Sequence, residues 1–126
     1  VVGTGRGDFL NQVNNSLGFP AIFRGALDVR ARTISDQMAL AAAYELASCV
    51  EENGLDEERI VPRMDEWEIY PRIAVATALK AIEQGLARQV KSREQLLATA
   101  TAMIQQARGA THLLMREGFI PEVPHR

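Results

Sequence analysis

The sequence is short of cysteine, of aromatic side chains and of any excess of one charge, and each shortage excludes something. Cys49 is the one cysteine. It has no partner for an internal disulfide, so nothing calls for an oxidising compartment, and a reduced, cytoplasmic setting is the default. Fourteen Lys and Arg stand against sixteen Asp and Glu, a formal net charge of −2. That balance excludes the strongly basic surface that tracks a nucleic-acid backbone. No apolar run is long enough to cross a bilayer, because the Ala-rich stretch from Met38 to Ala43 is soon broken by Glu45. The two histidines, His112 and His125, have no second His, Cys or acid at ligand spacing, so a metal site made by this chain alone is not expected. There is no initiator Met, signal peptide or tag. What remains is globular: 126 residues, 47% hydrophobic and 24% charged, enough for one ordinary domain or a large piece of a bigger one.

Strand signals are few. Val1-Val2 reads as the end of a buried strand cut off by Gly3, and Ile60-Val61 as a second scrap stopped by Pro62. Two scraps make no independent sheet. Either they belong to a sheet whose other strands lie elsewhere, or the chain is an all-α domain with an extended start.

Four stretches read as helices. In the first, Asn14-Asn15-Ser16 supplies capping residues, and Pro20 opens a helix through Val29. In the second, Thr33 caps with Asp36 three residues on, and the helix stops at Asn53-Gly54. Between Met38 and Val50 only Tyr44, Glu45 and Ser48 are polar, a pattern that asks for burial on several sides. The third follows Pro71, presents Val75, Leu79, Ile82 and Leu86 on one face and ends near Gly85. The fourth begins with a Ser92–Gln95 capping box and extends to Glu117. Its apolar face, Leu96, Ala100, Met103, Ala107, Ala110 and Leu114, is spaced 4-3-4-3-4. This heptad-like seam suits docking on a neighbouring helix or a coiled coil. The tail from Ile120 to Arg126, with two prolines, reads as loose.

Several residues invite chemistry. Gly3-Thr4-Gly5-Arg6-Gly7-Asp8 leaves the first strand scrap, but Asp8 stands where the dinucleotide fingerprint needs its third glycine. A plain glycine turn explains it as well, although ligands of α/β sheets do bind beyond the carboxyl ends of strands. Arg6-Gly7-Asp8 spells an adhesion tripeptide too short to be specific. Asp65, Glu66 and Glu68 around Trp67 either hold a cation or form a solvated acidic loop anchored by one aromatic. Cys49, in the apolar helix, reads as a small core residue. Asn14 and Asn15 stand at the mouth of the presumed sheet, where an amide's donors and acceptor suit a carboxylate, hydroxyl or carboxamide. One asparagine would be enough to cap the following turn, and composition does not choose between capping and binding.

The run from Gly3 through Asn11-Gln12-Val13-Asn14-Asn15 and Phe23-Arg24-Gly25-Ala26-Leu27-Asp28-Val29 strongly resembles the prokaryotic malic enzyme family. That family usually carries Ser, Pro and Val where Gly7, Leu10 and Ser16 stand here. The resemblance is close over about the first forty residues, patchier to Arg88 and weak in the last helix. It implies an α/β fold, of which this is the helix-rich C-terminal part of a Rossmann-like NAD(P)-binding domain, with one or two strand remnants and a long C-terminal helix. It also implies a division into 1–88, the NAD(P)-binding part, and 89–126, a helical extension and tail.

The implied activity is oxidative decarboxylation of L-malate to pyruvate and CO2, with NAD or NADP reduced and Mg2+ or Mn2+ in the full-length parent. The metal ligands, the catalytic Tyr and Lys and the glycine-rich dinucleotide turn would all lie outside this chain. By resemblance Asn15 contacts malate, and Asn14, Gly3, Thr4 and Gly5 lie beside the cofactor. No catalytic residue and no metal ligand is assigned here, and the chain alone is expected to be inactive. Its partners would be the remainder of the malic enzyme chain and further copies in a homo-oligomer, with no nucleic acid and no membrane. A non-catalytic helical assembly module, using the Leu96–Leu114 seam, is the alternative from another class. In the parent, Asn15→Ala is expected to impair malate turnover far more than Asn11→Ala.

Overall fold

The computed structural model describes residues 1–8 and 11–121. Leu10, His125 and most of the proline-containing tail therefore lie outside the described residues. After one 3-10 turn, Asn15–Leu17, come four helices: α1 (Phe19–Asp28), α2 (Asp36–Asn53), α3 (Ile69–Glu83) and α4 (Arg93–Arg116). None of them is long and apolar enough to cross a membrane. The strand scraps find no ladder among the described residues. Val1 and Val2 are 77% and 75% exposed, and pairing is limited to isolated bridges, Thr4 with Gln12 and Asp56 with Arg59.

α3 is the central helix, packed against α1, α2 and α4. Sequence periodicity gives it one apolar face. In the structure Ile69, Pro71, Ile73, Ala74, Val75, Thr77, Ala78 and Ala81 are all buried, so burial runs round most of its circumference. Leu79, Ile82 and Leu86, expected at the core, are instead only partly buried against its edge. Small residues explain the difference: alanines at 74, 78 and 81 let neighbouring helices close in on several sides. The tightest approach is at Gly25 of α1. A Cβ there would overlap the Ala74 carbonyl oxygen and lie 2.8 Å from Thr77 Cβ, so the crossing requires glycine. The buried Thr77 hydroxyl is satisfied by donating to the Ile73 carbonyl at 2.9 Å.

α2 begins two residues later than Thr33 suggests. Ser35 is the cap, its hydroxyl accepting from Met38 N at 3.2 Å and donating to Gln84 Oε1 at 2.6 Å. That second bond ties the start of α2 to the end of α3, a connection Thr33 does not make. Met38, Ala42, Cys49 and Val50 face the core, while Leu40 and Tyr44 (73% exposed) lie on a bare opposite side. The apolar circumference of α2 is thus only half used here. Arg72 of α3 clamps the helix from the covered side, reaching Glu45 at 2.7 Å and Glu52 at 2.6 Å.

The Ser92–Gln95 capping box of α4 forms as the sequence indicates. Of the seam, only Leu96 and Ala100 are buried. Leu96 completes the cluster around Val29, Met38 and Val75, and Ala100 joins the cluster of Ile69 and Ile73. From Met103 onward the seam residues are exposed, and Met103 Sδ accepts from Arg24 Nη1 of α1 at 2.8 Å.

Candidate functional site

Three loops meet ahead of α1. Thr4 N donates to the Asn11 carbonyl at 3.3 Å, and Val13 N donates to the Thr4 carbonyl at 2.8 Å. A Cβ on Gly3 would stand 3.1 Å from Val13 Cγ2 and 3.4 Å from Ile60 Cδ1, so glycine lets the first segment press against both others. Asn11 supplies the third connection. Its Nδ2 donates to the Glu57 carbonyl at 2.7 Å, and its Oδ1 accepts from Ile60 N at 2.9 Å. It is 8% exposed and sits at φ +58°, the left-handed region that asparagine tolerates better than most residues. In the sequence Asn11 is one member of the run at 11–15 that carries the family resemblance, with nothing local to show this bracing role. It is not the neutral comparator for Asn15 that the sequence suggests, because Asn11→Ala would break two part-buried hydrogen bonds.

The two candidate asparagines have separated roles. Asn14 is the cap of the 3-10 turn: its Oδ1 accepts from Ser16 N at 3.0 Å and from the Ser16 hydroxyl at 2.7 Å. The Asn15 side chain is exposed and has no hydrogen-bond partner among the described residues. A groove of about 530 Å³ opens beside it, between the 3-10 turn and α2, lined by Phe19, Phe23, Ala43 and Leu46 together with both asparagines. A second groove, of about 510 Å³, lies between Asn11 and the 56–64 loop and includes Asp56, Arg59 and Met64. Asn14 borders both. Gly3, Thr4 and Gly5 line neither; Thr4 reaches the site through its bonds to Asn11 and Val13, and Gly3 by packing against Val13 and Ile60.

The charged residues nearby are mostly matched. Arg59 spans both carboxylate oxygens of Glu66 at 2.9 Å. Arg63 pairs with Asp65 at 3.1 Å and holds its carboxyl below the usual range. The acidic loop is therefore engaged with arginines, and no group of three His, Cys, Asp or Glu among the described residues could hold a metal ion. Trp67 anchors the loop under Arg108, whose guanidinium carbon is 5.7 Å from the ring centre. Arg6 and Asp8 pair with each other at 2.6 Å. Cys49 is buried, and burial pushes its thiol up, away from nucleophilic use. Burial likewise raises the Tyr70 phenol.

With this geometry in hand, comparison with known proteins is specific. The family model described as "Malic enzyme, NAD binding domain" matches residues 2–84. The chain is 48% identical over 96 residues to the bifunctional malic/malolactic enzyme of Bacillus subtilis (strain 168), covering 76% of this chain and 23% of that protein. The structure of Entamoeba histolytica malic enzyme superposes with a TM-score of 0.93 at 45% identity, covering 98% of this chain and 26% of that one. The malic enzyme of Pyrococcus horikoshii Ot3 follows with a TM-score of 0.84 at 44% identity, covering 93% and 27%. The chain thus spans roughly a quarter of the length of these relatives.

Proposed function

The chain belongs to the malic enzyme family, within its NAD-binding domain, and from that premise we propose that it supplies one wall of a site that oxidatively decarboxylates L-malate to pyruvate and CO2. The observation that carries this reading is the division of labour between the two asparagines. Asn14 satisfies the cap, and the Asn15 amide, which the turn does not need, is left at the mouth of a groove. An uncharged amide there can donate to a malate carboxylate and accept from its hydroxyl.

NAD or NADP, when bound, takes the hydride from the carbinol carbon. The residues present fit such a neighbour: Asn14 borders both grooves, and the cap uses its Oδ1 but not its Nδ2, while Gly3 and Gly5 are exposed. In this reading Asn15 orients malate, Asn14 faces the cofactor, and Gly3, Thr4 and Gly5 shape the approach. Mg2+ or Mn2+ finds no set of ligands among the described residues, so no step is assigned to a metal here. The metal, the proton-transferring groups and the rest of the dinucleotide site fall to the remainder of the malic enzyme chain. This 126-residue chain alone would reduce no NAD or NADP. The same reading makes the protein a cytoplasmic homo-oligomer, with 1–88 as the NAD(P)-binding part and 89–126 as an extension. The family match ending at residue 84 supports that division, although Leu96 packs into the shared core.

The test is Asn15→Ala in the full-length enzyme. Leaving a substrate group unpaired should lower kcat/KM for malate by about 10- to 100-fold, with the melting temperature unchanged because the cap is Asn14. Unaltered malate kinetics would reject the ligand role.

A further inference from the structure

We propose that Asn11 is a positioning residue for this site, fixing where the Asn14–Asn15 turn stands relative to the Gly3–Gly5 turn. The inference rests on the reading of Asn15 as a substrate ligand. Its ground is the way three loops, none of them a strand or helix, are held together. The Asn11 carbonyl accepts from Thr4 N, its side-chain oxygen accepts from Ile60 N, and its side-chain nitrogen donates to the Glu57 carbonyl. One residue thus bonds to both of the other loops, and its amide is buried.

The connection to Asn14 and Asn15 is short. Only Gln12 and Val13 intervene, and Val13 N is itself bonded to the Thr4 carbonyl at 2.8 Å. The main chain entering the asparagine turn is therefore held at Asn11 and again at Val13, with little slack to absorb a displacement. The backbone at Asn11, at φ +58°, turns the chain into this path, a conformation open to asparagine and glycine and strained for alanine. If the amide is lost, both side-chain bonds from Asn11 to the 57–60 loop go with it, and the asparagine turn keeps the weaker contact of the Ser16 hydroxyl with Met64 Sδ at 3.2 Å. Misplacing a substrate-binding group by about 1 Å can cost up to roughly 100-fold in rate.

Asn11→Gly in the full-length enzyme separates the side chain from the backbone, because glycine keeps the left-handed conformation and deletes only the amide. Assayed at a temperature where circular dichroism shows it fully folded, the variant should raise KM for malate and lower kcat together, about tenfold in kcat/KM. Hydrogen exchange should show the Ile60 amide selectively unprotected. Adding Asn11→Gly to Asn15→Ala should cost less than about twofold more, because the amide that Asn11 places is already gone.

A lowered melting temperature with unchanged malate KM and kcat would overturn the proposal and make Asn11 purely structural. So would full multiplication of the two kinetic effects. If Asn11→Gly does not fold, Asn11→Asp, which tolerates the left-handed backbone and keeps an acceptor for Ile60 N while losing the donor to the Glu57 carbonyl, carries the same comparison. Failure of the underlying reading looks different. A kinetically silent Asn15→Ala rejects the ligand role and this inference with it, whereas an impaired Asn15→Ala beside a silent Asn11→Gly rejects this inference alone.

Discussion

Around α3, position is set by volume; around Asn11, it is set by individual hydrogen bonds. Gly25, Ala74 and Ala78 let the helices close until backbone meets side chain, and Leu96 and Met38 fill the space that remains. The loops at 3–5, 11–18 and 56–64 bury little, and a few bonds centred on Asn11 and Thr4 hold them. The contrast teaches where change is tolerated. The helical side resists any alteration of size, while the loop side resists loss of particular donors and acceptors and leaves polar groups free to meet a ligand.

The comparison can be broken most severely at Gly25. Gly25→Ala drives a methyl group into the Ala74 carbonyl, and because the obstacle is backbone, the helices must separate. The expected loss is about 3 kcal/mol, seen as a lower midpoint in denaturant unfolding. A stability within about 0.5 kcal/mol of wild type would mean that the α1–α3 crossing is looser than described.

Within α4 the same test distinguishes its two ends. Leu96→Ala should cost about 2.5 kcal/mol by leaving a cavity, whereas Leu114→Ala, on the open part of the seam, should stay within about 0.5 kcal/mol in this chain. Equal losses at both positions would show that the seam is covered along its length.

The smallest effect concerns acid. Arg72 holds the Glu52 carboxyl below its ordinary value of 4.5. A depressed folded-state value means that the pairing contributes fully above the ordinary glutamate range and is lost as pH falls through the lowered value. The last turn of α2 should therefore loosen only in acid, measurable as faster amide exchange there, and Glu52→Gln should remove that pH dependence. A turn equally protected from pH 3 to 7 would dismiss the pair as a clamp.

What was legible in the sequence follows the same division. The four helices and the Ser92–Gln95 box are local patterns and all are present, but α3 starts at Ile69, two residues before the Pro71 at which the sequence opens it. The α2 cap was misplaced because Thr33 and Ser35 are both eligible, and Ser35 wins through Gln84, a residue far along the chain. The burial of α3 on several sides and the half-empty seam of α4 depend on which helices lie nearby, which a face pattern does not contain. At the site, the Asn14–Asn15 pair stood out by composition, but its division into cap and spare amide is a matter of geometry. The bracing role of Asn11 is not legible in its own motif, because both partners of its side chain lie 46 to 49 residues away.

Trp67 is the chain's one tryptophan, and Arg108 of α4 rests on its ring. This contact makes the molecule its own optical gauge. Indole emission responds to an adjoining cation and to hydration, so its wavelength and intensity register whether the middle of α4 is seated on the loop before α3. Lifting the helix bares the ring to water and changes the signal before any helix has melted. Stopped-flow fluorescence can therefore time the docking of α4 separately from its formation, without a label.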